Sequence, residues 1–281
     1  MYYTRGMKLA RTSGILLHPT SLPETPGIGT IGRQAYKFVD WLRSANQKIW
    51  QILPLGPTGY GDSPYASFST FAGNPLIIDL DMLIEKGYLS HEEAQAPDYI
   101  KHEGYVDFGA VVYWKMPLLR NISKNFLKNK DNLKKTSAYS VFIKENAFWL
   151  DDYALFMSIK DFYDAKAQEE NRFGAMWINY WPKELRSRDE KALEDWKANN
   201  AESIDVYKVI QYFFFDQWLA LKNYANNNGV SIVGDIPIFV APDSADVWSN
   251  QHLFQLNKDS SPKSSCWCTT RLFQCNRTTL G

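Results

Sequence analysis

The chain has 281 residues, which fits one large domain or two small ones, and single α/β barrels often have this size. Its 31 basic and 31 acidic side chains balance, so the charge favours neither a nucleic-acid partner nor an anionic membrane. No apolar run approaches membrane-spanning length, and the run Ile15–Leu17 is too short for a secretory signal. We therefore expect a cytoplasmic protein that binds neither membrane nor nucleic acid.

Strand and helix patterns alternate in the first part of the chain. Ser13–His18 and Lys48–Leu53 are apolar runs typical of buried strands, and Arg33–Asn46 between them has apolar residues at helical spacing. Phe71–Asp81 is again apolar, which favours a strand or extended backbone. This order predicts a βαβ unit whose second strand leads into the loop Gly56–Ser69.

Helical patterning dominates from about Ser90 to Asn228. Three long helices are predicted around Val112–Phe126, Phe142–Met157 and Val206–Phe214. The last of them should stop at the asparagines before Gly229. Charges alternate over Lys183–Asn200, where Glu184 and Arg188 are four residues apart, and this pattern predicts a solvated helical face.

A third strand is predicted at Val230–Ile236, followed by a short helix near Ser244–Asn250. Asp243 is the expected N-cap of that helix, since aspartate favours this position. His18, at the end of the first strand, suits a structural histidine, with a substrate contact as the alternative.

Four side chains form the candidate binding site. Tyr60, Asp62 and Ser63 belong to Gly56–Ser69, a loop rich in glycine, proline, tyrosine and hydroxyl groups that follows a strand. Their ring and hydrogen-bonding groups suit a sugar, and an ordinary structured turn is the alternative. Asp235, at the end of the third strand, is the most prominent carboxylate nearby, and its position suits a carboxylate that holds backbone amides at the strand end.

Four sequence blocks carry a resemblance to a known family. They are S-G-I-L-L-H-P-T-S-L-P at Ser13–Pro23, G-P-T-G-Y-G-D-S-P-Y-A-S-F-S at Gly56–Ser69, F-A-G-N-P-L-I-I-D-L at Phe71–Leu80, and G-D-I-P-I-F-V-A-P-D-S-A-D-V-W at Gly234–Trp248. In this order they resemble the amylomaltases, or 4-α-glucanotransferases. The resemblance covers roughly Arg11–Lys263.

The resemblance implies an α/β fold: the N-terminal part of a (β/α)8 barrel of the TIM type, with about three strands and a large, mainly helical insertion. Residues 1–89 would start the catalytic barrel and residues 90–228 would form the insertion. Residues 229–263 would supply the third barrel strand and the helix after it, and residues 264–281 a tail read out of frame.

The resemblance also implies transfer of α-1,4-glucan segments between maltooligosaccharides by a retaining mechanism, without a metal or organic cofactor. Tyr60, Asp62, Ser63 and Asp235 would then contact or shape the glucan. Retaining transfer needs two carboxyl groups about 5 Å apart. The family carries its catalytic carboxylates in R-I-D-H-F, E-D-L/G and H-D-N motifs, and none occurs here. We therefore assign no catalytic residue and expect an inactive chain, with a catalytically silent glucan-binding fragment as the alternative.

All three cysteines, Cys266, Cys268 and Cys275, lie in the last residues. Shifting possible codons for Ser264–Gly281 by one base yields V-A-V-G-V-P-P-D-Y-F-S-A-T-G-Q-L-W, which matches the loop that an amylomaltase would have. This indicates a frameshift near Lys263. The alternative is a metal-binding or redox protein that acts through its cysteines, although zinc favours four ligands at better-defined spacing.

Three barrel strands alone would leave two open parallel edges and an uncovered inner face. Each exposed large aliphatic or aromatic side chain forgoes roughly 1.5–3 kcal/mol of burial, against a net stability of about 5–15 kcal/mol. We therefore expect poor solubility or loose packing, with the helical part the best ordered.

Overall fold

The computed structural model describes residues 11–23, 26–59, 61–100, 104–172, 175–237, 240–257, 260–261 and 263. Strands and helices alternate at the start of the chain, helices fill its middle, and one more strand and helix follow. The elements are β1 (Gly14–Leu16), α1 (Arg33–Ser44), β2 (Ile49–Gln51), α2 (Leu80–Glu85), α3 (Phe108–Lys128), α4 (Ala138–Glu169), α5 (Trp177–Tyr180), α6 (Lys183–Arg186), α7 (Glu190–Asn199), α8 (Ala201–Asn227), β3 (Ser231–Val233) and α9 (Ala245–Ser249).

The three strands form one parallel sheet in the order β1-β2-β3. Leu16, Gln51 and Val233 lie side by side in the last paired row. Each strand lies inside a run that the sequence predicts as a strand, so the predicted parallel α/β start is confirmed. The strands are shorter than the predicted runs: each has three residues.

One face of the sheet packs against helices. Trp50 is fully buried, and Ile15 and Ile232, its partners in the same row, pack against the same core. Phe38 of α1 meets the Trp50 ring edge-on, with ring centroids 5.1 Å apart. The indole Nε1 of Trp50 also donates to the carbonyl oxygen of Leu17 at 2.7 Å. This tryptophan therefore joins the first two strands to the helical layer.

The other face of the sheet is uncovered within the described part of the chain. Leu16 is 56% exposed and Val233 is 43% exposed, and Gln51 between them is exposed as well. Strand side chains alternate between faces, so the row that points away from α1 and α8 contains apolar groups in water.

Helix α8 is the centre of the helical part and packs against α1, α3, α4 and β3. Its apolar residues join one core with the strands, α1 and α3, while α4, α5 and α9 build a second core rich in tryptophan. The three long helices that the apolar spacing predicts are all present. Helix α8 ends at Asn227, and Gly229 follows with a φ of +72°, as the predicted stop requires.

Of the two alternatives predicted for Phe71–Asp81, a strand or extended backbone, the strand does not form in the described chain and part of the segment is extended. Asn74, Ile78 and Asp79 have extended backbone, but a 3₁₀ turn at Pro75–Ile77 interrupts the segment and α2 follows it. The segment joins no sheet within the described chain.

Two glutamine side chains of α8 form hydrogen bonds with the backbone of Phe71–Asp81, as a neighbouring strand would. Gln211 accepts from the Gly73 backbone nitrogen at 2.7 Å and donates to its carbonyl oxygen at 2.9 Å. Gln217 makes the same two bonds with Asp79, at 2.8 and 2.9 Å. Gly73 also has to be glycine here, because a Cβ atom would lie 2.0 Å from the Phe214 ring. The apolar pattern of the segment thus reflects burial against a helix.

One local prediction also fails. The N-cap of α9 is Ser244, whose side chain accepts from the Val247 nitrogen at 3.2 Å; Asp243 instead binds Lys160. Arg188 lies beyond the end of α6 with a φ of +57° and pairs with Asp152 at 2.6 Å.

No helix in the described part of the chain combines the length and the apolarity that crossing a bilayer requires.

Candidate functional site

The loop Gly56–Ser69 folds back on itself after β2. Thr58 and Ser67 form an antiparallel bridge. Backbone hydrogen bonds on either side of the bridge continue the pairing of the two arms of the loop. The buried Ser67 hydroxyl lies 2.7 Å from the Ser69 carbonyl oxygen and 3.1 Å from that of Pro57. The two arms of the loop are therefore fixed by hydrogen bonds, and the tip is presented at the carboxyl edge of the sheet.

The tip of the loop contains two consecutive residues in the left-handed region. Gly61 has a φ of +85° and Asp62 a φ of +53°, conformations that glycine and aspartate tolerate better than most residues. Both are exposed to solvent. The neighbouring Tyr60, a predicted site residue, lies outside the described residues.

Asp235 is joined to this loop by a tyrosine. The Tyr65 hydroxyl donates to Oδ2 of Asp235 at 2.7 Å, while Oδ1 accepts from the Ile236 backbone nitrogen at 2.8 Å. One oxygen thus holds a backbone amide, the alternative role considered for Asp235, and the other holds the loop. The bond to the carboxylate raises the pKa of the Tyr65 hydroxyl. Both side chains are exposed, so their remaining lone pairs face solvent.

Ser63 and Asp62 take different parts in this arrangement. The Ser63 hydroxyl accepts from the Tyr65 backbone nitrogen at 3.3 Å and so helps to orient the tyrosine. Asp62 instead interacts electrostatically with Asp107, the N-cap of α3. Partial burial, and then the charge of Asp107, raise the pKa of Asp62. The structure therefore groups Ser63 with Asp235 through Tyr65, and it does not link Asp62 to this pair by a hydrogen bond between described residues.

The far end of the loop is tied to α9. The Thr70 nitrogen donates to Oδ2 of Asp246 at 2.7 Å, and the Ala245 nitrogen donates to the Phe68 carbonyl oxygen at 2.8 Å. Burial raises the pKa of Asp246, and the bond from Thr70 opposes this effect.

Lys160 of α4 links the same region to the helical part. Its Nζ lies 2.7 Å from Asp243 and 5.2 Å from the centroid of the Phe68 ring. Burial alone would lower the pKa of Lys160, but the carboxylates of Asp243 and Asp164 outweigh it and raise that pKa. The far end of the loop is thus held by contacts with both α4 and α9.

His18 continues β1 past the last paired row. It lies two residues beyond Leu16, as Asp235 lies two residues beyond Val233, so both stand at the same edge of the sheet. Its Nδ1 is buried and has no hydrogen-bond partner within the described chain. Burial lowers the pKa of His18 to about 4, so the ring is neutral near pH 7. His18 therefore differs from the predicted structural histidine, because its Nδ1 atom has no hydrogen bond within the described chain.

The other buried charges belong to the helical cores. Arg120 binds Asp161 at 2.7 Å and the Tyr207 hydroxyl at 3.0 Å, which joins α3, α4 and α8. Lys115, almost fully buried, donates to the Leu76 carbonyl oxygen at 2.7 Å, and burial lowers its pKa to about 8. These groups have protein partners and lie away from the loop, so they fit a role in packing.

No cluster of three metal-ligating side chains occurs among the residues that the structure covers. Cys266, Cys268 and Cys275 fall outside the described residues, as does the whole predicted out-of-frame tail. The hypothesis of a cysteine site therefore stays a prediction.

Tyr65 is the site residue that sequence reasoning missed. It belongs to the quoted loop, but its importance comes from a bond to a residue 170 positions later in the chain. A tyrosine two residues after Ser63, at the tip of a loop beside a strand end, was the available signal.

Known families and proteins include clear relatives of this chain. The profile of a family described as 4-alpha-glucanotransferase matches residues 17–262. The 4-alpha-glucanotransferase of Thermus thermophilus is 45% identical over 256 residues, which cover 91% of this chain and 48% of that protein. A Streptococcus pneumoniae protein of the same name is 43% identical, with the same coverage. The chain thus spans about half the length of the curated relatives it matches.

Solved structures give the same result. The amylomaltase from Streptococcus agalactiae, solved in complex with acarbose, superposes with a TM-score of 0.81 at 40% identity, covering 89% of this chain and 48% of that one. The amylomaltase from Corynebacterium glutamicum, at 16% identity, shares the fold with a TM-score of 0.62, covering 86% of this chain and 32% of that one. The profile match ends one residue before Lys263, near which the frameshift is predicted. With most of its residues matched by the family profile, the chain belongs to the 4-alpha-glucanotransferase family.

Proposed function

We propose that this chain forms part of a 4-α-glucanotransferase, which moves α-1,4-linked glucan segments between maltooligosaccharides by a retaining mechanism. The match to the family over residues 17–262 is the observation that carries this proposal. The position of the Tyr65–Asp235 pair supports it, because α/β enzymes bind substrate at the carboxyl ends of their strands. The mechanism needs neither metal nor organic cofactor.

The sheet is then the beginning of a (β/α)8 barrel. Residues 1–89 start the barrel, and residues 90–228, which include α3 to α8, form its mainly helical insertion. Residues 229–263 contribute the third strand and α9. The parallel order of β1, β2 and β3 supports this division, as does the packing of described helices against one face of the sheet.

The loop and Asp235 contact the glucan. Asp235 accepts hydrogen bonds from sugar hydroxyls, and Tyr65 holds its carboxylate in place while offering a ring edge. Asp62, Ser63 and Tyr60 extend the binding surface along the loop. The polarity of these side chains and the exposure of Asp62, Tyr65 and Asp235 support such a role, since hydroxyl-rich ligands need several exposed acceptors.

The 281-residue chain by itself has no turnover. Glucosyl transfer with retention needs a nucleophilic carboxylate and a general acid about 5 Å apart. Asp235 hydrogen-bonds to a tyrosine and to a backbone amide, so both of its oxygens already have protein partners. The family motifs that would supply the pair do not occur in the sequence. Glucan binding without transfer is therefore the function of these residues alone.

Amylose affinity electrophoresis of the 281-residue chain tests the binding half of this proposal. Retardation is expected, and Tyr65→Phe should weaken it several-fold because Asp235 loses the hydroxyl that orients it. Tyr180→Phe is the matched control: its hydroxyl donates to Glu170 at 2.9 Å, also at the surface but away from the loop. Equal retardation of the two variants would contradict the assignment.

Incubation with maltotriose tests the catalytic half. No ladder of longer maltooligosaccharides should form with the homogeneous chain. A ladder that persists through repeated purification would show that the chain carries its own catalytic carboxylates, and the proposed division between binding and transfer would then be wrong.

A further inference from the structure

Two phenylalanine rings form an exposed pair just beyond the candidate binding loop. Phe71 is 51% exposed and Phe148 of α4 is 73% exposed. Their ring centroids lie 5.5 Å apart and their planes meet at 85°. A single exposed apolar side chain is common on protein surfaces, but two contacting rings present a larger apolar surface in two directions. We call Phe71 and Phe148 the aromatic pair.

The aromatic pair is held in place from below. The Phe71 ring stacks on the buried Trp149, with centroids 6.2 Å apart and planes at 18°. The indole nitrogen of Trp149 donates to Oδ1 of Asn146 at 3.1 Å. The Phe71 backbone nitrogen donates to the Ser69 hydroxyl at 3.2 Å. Because Phe71 is already ordered by these contacts, a ligand that covers the aromatic pair loses little affinity to the ordering of side chains.

The aromatic pair continues the surface of the loop. Phe71 lies six residues after Tyr65, so their Cα atoms are at most about 20 Å apart. The chain between them is fixed to α9, because the Thr70 nitrogen donates to Asp246 at 2.7 Å. One extended ligand can therefore contact the loop and the aromatic pair at the same time.

Hydrogen-bonding side chains lie next to the two rings. Thr70, which adjoins Phe71 in the chain, is exposed. Lys144 and Glu145 lie four and three residues before Phe148, which places them on the same face of α4, and both are exposed. Apolar ring area with a few donors and acceptors beside it is the composition of sites for small organic ligands.

We propose that the aromatic pair is a further glucan subsite, in which a glucose unit stacks on the rings. A glucose unit has C–H groups on its flat faces and hydroxyls at its edges. It therefore matches ring surfaces that have polar side chains beside them. The proposal rests on the glucan-binding role proposed for the loop, and it adds a second region of contact to the one around Asp235.

A protein or a membrane matches this surface less well. The two rings offer on the order of 250 Å² of exposed area, whereas a stable protein interface buries about 800 Å² on each partner. An anionic membrane surface attracts clustered basic side chains. Here Glu145 and Asp151 lie within one helical turn of Phe148, together with Lys144.

Isothermal titration calorimetry of the 281-residue chain with maltoheptaose tests the subsite. Phe148→Ala and Phe148→Gln should each weaken binding about three- to tenfold, the effect of losing one stacked ring. Phe148→Tyr keeps a ring at this position and should bind like the wild type. Thermal unfolding of each variant checks that the exposed substitution leaves the fold intact.

Phe162→Ala is the matched control. Phe162 is 52% exposed and lies on the same helix, fourteen residues further along, which is a distance of about 21 Å. This substitution also removes an exposed ring from α4, and it should leave the affinity for maltoheptaose unchanged. Tyr65→Phe, titrated in parallel, reports separately on the loop and Asp235.

The variants separate this subsite from the function proposed for the loop. Unchanged affinity in Phe148→Ala with weaker binding in Tyr65→Phe would overturn the subsite and leave the proposed function standing. Weaker binding in Phe148→Ala alone would support the subsite and contradict the role of Tyr65. An equal loss in Phe162→Ala would refute the subsite, and a wild-type chain that binds no maltoheptaose would refute both. A changed oligomeric state of Phe148→Ala at unchanged affinity would assign the rings to a protein contact instead.

Discussion

Burial without a hydrogen-bond partner disfavours the charged form of a histidine, and His18 is in this situation at the end of β1. Its pKa falls from 6.5 to about 4 in the folded chain. Below pH 6.5 the unfolded chain binds a proton at this ring that the folded chain does not bind. The contribution of His18 to stability is therefore complete above pH 6.5 and is lost as the pH falls towards 4.

We predict that His18→Gln removes part of the acid sensitivity of the protein. The free energy of unfolding of the wild type should fall between about pH 7 and pH 5 by more than that of the variant, with a difference of no more than about 3 kcal/mol. Urea unfolding at several pH values measures this difference. His252→Gln, at an exposed position, is the control. Parallel pH profiles for His18→Gln and the wild type would show that His18 titrates normally.

The candidate site shows what single residues reveal without a structure. A loop of glycine, proline and hydroxyl residues after a strand predicts a binding loop, and an aspartate at a strand end suits either a substrate site or a hold on backbone amides. The bond between Tyr65 and Asp235 could not be predicted, because its partners are 170 positions apart in the sequence and meet only when β3 lies beside β2. Asp243 shows the same limit: Lys160 on a distant helix, and not local capping preference, decides its partner.

At the scale of elements, the two glutamines of α8 provide the hydrogen bonds that a neighbouring strand would otherwise provide. Gln217 satisfies both backbone groups of the buried Asp79, whose carboxylate also accepts from Thr30 at 2.6 Å. Replacement of the amide by an apolar group leaves a buried N–H and a buried C=O without partners, and each such group costs about 1–3 kcal/mol.

Gln217→Leu is therefore expected to lower the free energy of unfolding by about 2–4 kcal/mol, although it adds apolar surface to the core. Chemical denaturation measures the change. Gln168→Leu, at an exposed position in α4, should alter stability by no more than about 0.5 kcal/mol. A loss of stability that is equal for both variants would mean that the amide bonds contribute little.

Apolar patterns located most of the elements, and the segment Phe71–Asp81 shows the limit of such patterns. Helical spacing located α1, α3, α4 and α8, and apolar runs located all three strands, because each of these elements buries one side against a common core. At Phe71–Asp81 the apolar pattern was equally clear but its partner was a helix. An apolar pattern reports burial, and it does not report which element covers the residues.

At the scale of the whole molecule, order should be distributed unevenly. Helices α4 and α8 are packed on several sides, whereas within the described residues β1 and β3 each have one partner strand and one uncovered face. Amides in regions with few buried contacts open at lower free energy than those in packed cores.

We predict that backbone amides of α4 and α8 exchange with solvent more slowly than those of Gly14–Leu16 and Ser231–Val233 in the isolated chain. Hydrogen exchange followed by mass spectrometry compares these peptides directly. Helix α7, which is polar and largely exposed, indicates how fast a weakly packed helix exchanges. Equal protection of strands and long helices would mean that the sheet is covered after all.

The pairing of β2 with β3 has a kinetic consequence. Gln51 and Val233 are neighbours in the sheet, yet nearly all the helices lie between them in the chain. Bringing distant segments together is slow when the intervening chain is unfolded, and the cost falls once that chain has collapsed into helices. Strand β3 should therefore reach its place only after α8 has docked, so a mutation that delays α8 would delay the appearance of Asp235 beside Tyr65 to the same extent.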